Sequence, residues 1–177
     1  MIGFVFTAEE RRRRGIGDAL LGYIIDCFRE CGGRALYLCT SNPAAGTLYE
    51  KHGFGYLTGD GMRYLAPGAN DFDNTVFGHC GSGKTRVAHW GDLPRVTALY
   101  NHPEPGWLIK DHLSDCCVDT RYEQHYVRLL KRLEGDNGAF IVLESPADHV
   151  VGAAVLVRKN TFYEQHGEGF ASGRTAS

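Results

Sequence analysis

The sequence predicts a mixed α/β (α+β) fold, and three stretches of it carry that expectation. An apolar run over residues 1–7 leads through an arginine- and glycine-containing loop into an amphipathic segment at 18–31. A second apolar run, 35–40, is followed by a short helical pattern that closes at Gly53. From residue 85 onward the order reads strand, two helices, two strands. At 177 residues the chain is long enough for one domain with a full core.

Each element has a local reason. Residues 1–7 read as a buried strand because the run is almost continuously apolar. In 18–31, Leu20, Tyr23, Ile24, Cys27, Phe28 and Cys31 recur at helical spacing and define an apolar face. Between them lies Arg12-Arg13-Arg14-Gly15-Ile16-Gly17. This places unpaired backbone N–H groups and the positive end of a helix dipole beside a basic loop, which is a diphosphate-binding geometry. Glycine suits positions 15 and 17, where a Cβ would hold phosphates off the backbone. Residues 35–40 read as a strand, and 42–54 as a short helix with its stop at Gly53. Residues 55–65 and 73–80 are expected to form a hairpin turning at 66–70. Residues 85–90 read as a strand. Asp92 is placed as the N-cap of a helix with an early Pro94, then Val96, Leu99 and Tyr100. Residues 120–133 form a second helix, with Tyr122, Tyr126, Leu129, Leu130 and Leu133 on one face. Two strands follow, 139–143 and 150–157, joined by Ser145-Pro146-Ala147-Asp148.

Bulk properties narrow the function. Hydrophobic content of 43% with 23% charged residues fits a globular protein, and a net charge of −2 makes no electrostatic case for nucleic acid. No apolar run approaches the roughly 20 residues of a membrane span, and no secretory signal precedes the first strand. Of the six cysteines, Cys27 and Cys31 share the apolar helix face and read as core packing. Cys116 and Cys117 are adjacent, and no zinc spacing appears. A reducing, cytoplasmic compartment is the expectation. The eight histidines are scattered.

Two segments together resemble the GNAT superfamily of acyl-CoA-dependent N-acyltransferases. The arginine–glycine loop is similar to that family's pyrophosphate loop. The run Asn42-Pro43-Ala44-Ala45-Gly46-Thr47-Leu48-Tyr49-Glu50-Lys51-His52-Gly53-Phe54 is similar to its second CoA motif. The resemblance covers residues 4–57. It implies acetyl-CoA as co-substrate, no metal, and a small-molecule or peptide amine as acceptor. Nucleic acid and membrane are not expected partners, and a homodimer, including a strand-swapped one, is permitted. The resemblance also assigns roles. A backbone N–H near Phe6 would polarise the thioester carbonyl, and Thr7 would begin the CoA contacts. The amides of Arg12, Arg13, Arg14, Gly15, Ile16 and Gly17 would hold the pyrophosphate. Asn42 would lie along the pantetheine arm, with Ala45 one turn on. Tyr49 would protonate the departing sulfur. The general base is open: Glu164, His166 and Glu168 lie before the C-terminus, and ordered water is equally compatible. Acceptor recognition would draw on Trp107, Asp111, His112, Asp115, Asn70, Asp71 and Asp73.

The order of elements departs from that family, in which the pyrophosphate loop lies mid-domain. Here it lies at the N-terminus, and the strand, two helices and hairpin that begin such domains come last. The resemblance therefore implies a mostly antiparallel central sheet flanked by helices, with the chain circularly permuted to begin and end within the central strand. Residues 174–177 would run into residues 1–7. On this reading 1–80 is the CoA-binding half, 81–84 a flexible Gly-Ser-Gly linker and 85–177 the first half of the same domain. An engineered permutant and a piece of a tandem array both fit.

Two other readings compete. The fold could persist as a catalytically inactive CoA-binding module, because opening the central strand disturbs the amide that polarises the carbonyl. Residues 78–85, GHCGSGKT, also match the P-loop pattern, which would put Lys84 on phosphates and Thr85 on magnesium. That loop must open a long helix, yet residues 86–90 alternate like a strand, and Gly91 and Pro94 follow closely.

Overall fold

The computed structural model describes residues 1–3, 5–57, 60–78, 81–102 and 122–158. The first half of the chain contains α1 (Ile16–Glu30), β1 (Ala35–Cys39), α2 (Pro43–Lys51), β2 (Gly55–Tyr56), β3 (Gly61–Leu65) and α3 (Phe72–Phe77). The other half contains β4 (Lys84–Val87), α4 (Leu93–Tyr100), α5 (Tyr122–Arg132), β5 (Gly138–Glu144) and β6 (Val150–Val157). Mixed helices and antiparallel strands match the expected fold class. The described strands form two separate three-stranded sheets, ordered β1-β3-β2 and β4-β5-β6, rather than one continuous sheet.

The segment expected to join those sheets is the first correction. Residues 1–3 and 5–8 carry no strand in the described structure. Ile2 N–H donates to the Tyr37 carbonyl of β1 at 2.9 Å. Met1 Sδ lies 3.8 Å from Thr97 Oγ1 on α4, so the N-terminus touches both halves. Residues 174–177, the other side of the expected join, lie outside the described residues.

The central packing explains why β1 reads as an unbroken apolar run. Leu36 and Leu38 face Leu21, Ile25, Tyr49, Phe54 and Met62, while Tyr37 faces Val76, Val96, Leu99 and Phe140 on the other side. A strand buried on both faces has no polar alternation. The second cluster contains residues of both halves, so a single core unites them. On α1 the buried face is Leu21 and Ile25. Leu20 and Tyr23 are 39% and 69% exposed, Cys31 is exposed and Cys27 is half-buried. Of the expected face, Ile24 and Phe28 pack against the same core as Leu21 and Ile25, while Leu20, Tyr23 and Cys31 turn outward, so the buried stripe is rotated but overlaps the expected one. The three described cysteines are unbridged.

Residues 55–56 pair with β3, giving the contacts Gly55↔Arg63 and Tyr56↔Met62. The expected strand over 73–80 is instead the helix α3, which buries Val76 and Phe77. A helical turn puts Phe72, Val76 and Phe77 toward the core together, whereas strand alternation would send Phe77 outward from Val76. In the second half the strands, the proline-containing start of α4 and the turn at 145–148 fall within a few residues of expectation. Gly83 is no free linker residue: a Cβ there would lie 2.7 Å from the Glu144 carbonyl oxygen. Lys84 and Thr85 lie in β4, so no helix starts where a P-loop requires one.

Asp92 does not cap α4 with its side chain. Its fully buried carboxylate accepts two bonds from Arg86, at 2.7 and 2.8 Å, and one from the His89 N–H at 2.9 Å. Arg86 Nε also donates to Glu144 at 2.9 Å, and Arg95 reaches Glu144 at 3.0 Å. Burial pushes the Asp92 carboxyl up, but Arg86 and the His89 N–H outweigh it and hold the carboxyl below its usual range. Arg86 likewise holds Glu144 down. A carboxylate with a depressed folded-state pKa stabilises above its unfolded pKa and loses that contribution as pH falls through the folded value. The melting temperature is therefore expected to stay level above about pH 5 and to fall progressively below about pH 4. A level melting temperature down to about pH 3 would remove the network from the stability of the fold.

Candidate active site

The site begins with the turn that feeds α1. A 3₁₀ turn over Glu9–Arg11 leads into Arg13, a non-glycine residue at φ 60°, and Gly15 at φ 76°. Gly15 is the N-cap of α1 in the left-handed region, which glycine enters without a Cβ penalty. The first helical bond runs from Ala19 N–H to the Gly15 carbonyl at 2.9 Å. The N–H groups of Ile16, Gly17 and Asp18 thus lie in the turn that has no carbonyl partner within the helix. Arg12 is folded back: its Nε donates to the Thr7 carbonyl at 3.2 Å, and its guanidinium stands 5.8 Å from the Phe6 ring centre.

The second wall is α2. Asn42 is its N-cap and accepts from the Ala44 N–H through Oδ1 at 3.0 Å. That oxygen is committed to the helix, so Asn42 offers the cleft its amide N–H donors. Ala45 and Tyr49 follow on one helix face. The Tyr49 ring is buried and packs on Phe54, with ring centres 5.7 Å apart. The stop at Gly53, φ 86°, ends α2 as the sequence indicated.

Between the walls lies a cavity of about 580 Å³. Phe6, Thr7, Arg12, Arg13, Gly15, Ile16 and Gly17 line one side of it, and Asn42, Ala45 and Tyr49 the other. Of the residues expected to hold the donor, Arg14 is the one that does not line it. Sequence reading missed Val5, Arg11, Asp18, Ala44 and Leu48. Leu48 had a signal, since it follows Ala44 and Ala45 by one helical turn. Asp18 had none, because its partners Lys51 and His52 lie more than thirty residues away. Three arginines against one carboxylate, beside a helix N-terminus, make this an anion-attracting cleft with an apolar floor.

The two glycines differ in role. A Cβ on Gly17 would meet Leu48 Cδ2 at 3.4 Å and Thr7 Oγ1 at 3.9 Å, ordinary contact distances, so nothing within the protein excludes alanine there. A Cβ on Gly15 meets nothing within 4 Å, and only its backbone conformation demands glycine. Gly15→Val should therefore strain the turn by about 1–3 kcal/mol without an internal clash. We expect a folded protein whose affinity for a diphosphate-bearing ligand falls at least about tenfold, since the unpaired N–H groups lose their aim. Unchanged affinity in calorimetric titration would separate the turn from the donor site.

The acidic residues expected at the acceptor side do other work. Asp71 accepts from Arg34 at 2.7 Å and from the Thr75 hydroxyl at 3.0 Å, while Asp73 accepts from Arg63 at 2.8 and 2.9 Å. They are structural ion pairs, and neither they nor Asn70 line the cleft. The helical turn over Phe72–Phe77 that replaces the expected hairpin strand is what places them there. Trp107, Asp111, His112, Asp115, Glu164, His166, Glu168, Cys80, Cys116 and Cys117 lie outside the described residues. Among the described residues no cluster of three or more His, Cys, Asp or Glu side chains could hold a metal ion. No described helix is long and apolar enough to cross a membrane.

Comparison with known proteins bears on this half of the chain. Residues 1–55 match the family model of the acetyltransferase (GNAT) domain. That span takes in β1 and all of the segments that line the cleft, namely residues 5–7, the turn at 11–17, the start of α1, and α2 with its cap. No curated protein and no solved structure matches the chain significantly.

Proposed function

We propose that this protein is a GNAT-type N-acetyltransferase that moves an acetyl group from acetyl-CoA to an amine. One observation carries the reading: a single cleft has the unpaired N–H groups that open α1 and the arginines of the preceding turn on one side and Tyr49 of α2 on the other. The donor's diphosphate would lie on the N–H groups of residues 15–18, with Arg11, Arg12 and Arg13 supplying charge. The pantetheine arm would pass Asn42 and Ala45 toward Tyr49.

A thioester is already activated, so the protein needs mainly to position, polarise and move protons. The amine nitrogen attacks the thioester carbon and a C–N bond forms. The carbonyl oxygen takes on charge, which a backbone N–H near Phe6 would stabilise. The C–S bond then breaks and the Tyr49 hydroxyl gives its proton to the leaving sulfur. The amine's own proton leaves to water. A reducing, cytoplasmic setting suits the three unbridged cysteines, Cys27, Cys31 and Cys39.

The test is release of free CoA thiol from acetyl-CoA across a panel of amines. Amine-dependent release supports the reading. One feature favours a second reading, a CoA-binding module without turnover: residues 5–7 are held by no sheet ladder, so the polarising N–H lacks a rigid mount. Saturable acetyl-CoA binding with no thiol release from any amine would establish that reading instead.

A further inference from the structure

Asp18 is the only carboxylate among the described residues lining the cleft, and it stands in the first turn of α1, beside the unpaired N–H groups. Lys51 Nζ and His52 Nε2 both contact its Oδ1, each at 2.8 Å. Lys51 is the last residue of α2 and His52 its C-cap, two and three residues past Tyr49. The His52 ring is mostly buried, 18% exposed, and lies beside Gly22 of α1. A lysine at a helix C-terminus is favoured by the helix dipole, so α2 is suited to present Lys51, while His52 supplies a hydrogen bond. Lys51 and then His52 hold the Asp18 carboxyl below the usual carboxylate range.

We propose that Lys51 and His52 set the affinity for the anionic donor by clasping Asp18, cancelling its charge and holding its carboxylate toward α2. The proposal rests on the acyl-CoA reading. A bare carboxylate at the mouth of a diphosphate cradle repels the ligand, and this repulsion is screened by salt. The clasp therefore allows α1 to keep an acid in its first turn, where it suits the helix dipole, without repelling the donor. Lys51 and His52 touch the donor only through Asp18, which makes them positioning residues.

Acetyl-CoA titration by calorimetry tests this on the wild type, on Lys51→Met/His52→Leu, and on that pair with Asp18→Asn added. At an ionic strength of about 10 mM the double variant should bind about tenfold more weakly, and at about 300 mM less than about threefold. Adding Asp18→Asn should restore affinity to within about threefold of wild type, because the unmasked charge is gone. The kcat of the double variant should stay within about threefold of wild type while KM for acetyl-CoA rises. His52→Gln, which keeps a donor for Asp18, should bind like wild type. Lys51→Met alone, at a 65% exposed side chain, keeps the test sound if the pair fails to fold; it should show a smaller loss with the same salt dependence. Wild-type affinity in the unmasked variants overturns the proposal, as does a loss that Asp18→Asn fails to recover, which would make the clasp purely structural. Wild-type protein that does not bind acetyl-CoA overturns the donor assignment itself.

Discussion

Replacing Arg86 by methionine should cost about 3–5 kcal/mol of folding stability. Methionine keeps the unbranched stem but removes the guanidinium that donates twice to Asp92 and also to Glu144. Asp92 has no exposed surface, so the variant leaves a buried carboxylate with the His89 N–H and a distant Arg95, 3.9 Å away. Breaking one side of such a pair costs far more than the pair contributes, because the remaining charge is desolvated without compensation. The loss also spreads, since Arg86 joins β4, the start of α4 and the end of β5. For a chain of this size the melting temperature should drop by roughly 6–20 °C. Urea unfolding measures the change directly, and Arg86→Met/Asp92→Asn should recover part of it by removing the stranded charge. A loss under about 1 kcal/mol would mean that water reaches Asp92 once the arginine is gone.

Tyr49→Phe should lower turnover about 10- to 100-fold, equivalent to roughly 1.4–2.7 kcal/mol of barrier. The ring is buried against Phe54, and phenylalanine keeps that packing, so stability and acetyl-CoA affinity should barely move. The effect lies at the low end of general acid catalysis because a thiol with a pKa near 8.5 leaves fairly well unaided. Steady-state kinetics should show kcat falling with KM for acetyl-CoA unchanged, the pattern of an interaction made only in the transition state. Normal turnover in a folded Tyr49→Phe protein would assign the sulfur's proton to water and leave the hydroxyl a structural role.

The features legible in the sequence are those that depend on neighbours along the chain. The arginine–glycine turn could be read because Gly15 must take a left-handed φ and the helix must begin beyond it. The helix over 43–51 could be read because Asn42 caps it, Pro43 starts it and Gly53 stops it. The hairpin of β5 and β6 announced itself through two apolar runs and a Ser-Pro-Ala-Asp turn. Each is a constraint acting within a few residues, so the chain's own order encodes it.

The misplaced features depend on which surfaces meet. Helical periodicity marked α1 as amphipathic, but β1 and β3 bury Leu21 and Ile25 and leave Leu20, Tyr23 and Cys31 facing outward. A mixed apolar stripe permits more than one facing, and the packing partner selects it. Residues 72–77 contain aromatic and β-branched side chains that suit a strand, yet helix α3 lets Phe72, Val76 and Phe77 reach one core together. The apolar segment 1–7 is compatible with a strand, but strand pairing needs a partner edge along its length, and among its described residues the bond to β1 comes from Ile2. Asp18 gained its place in the cleft from Lys51 and His52, and Asp92 its burial from Arg86 and Glu144. In the sequence these are ordinary charged residues; the approach of α2 to α1 brings Lys51 and His52 to Asp18, and the approach of β5 to β4 helps to shut water away from Asp92.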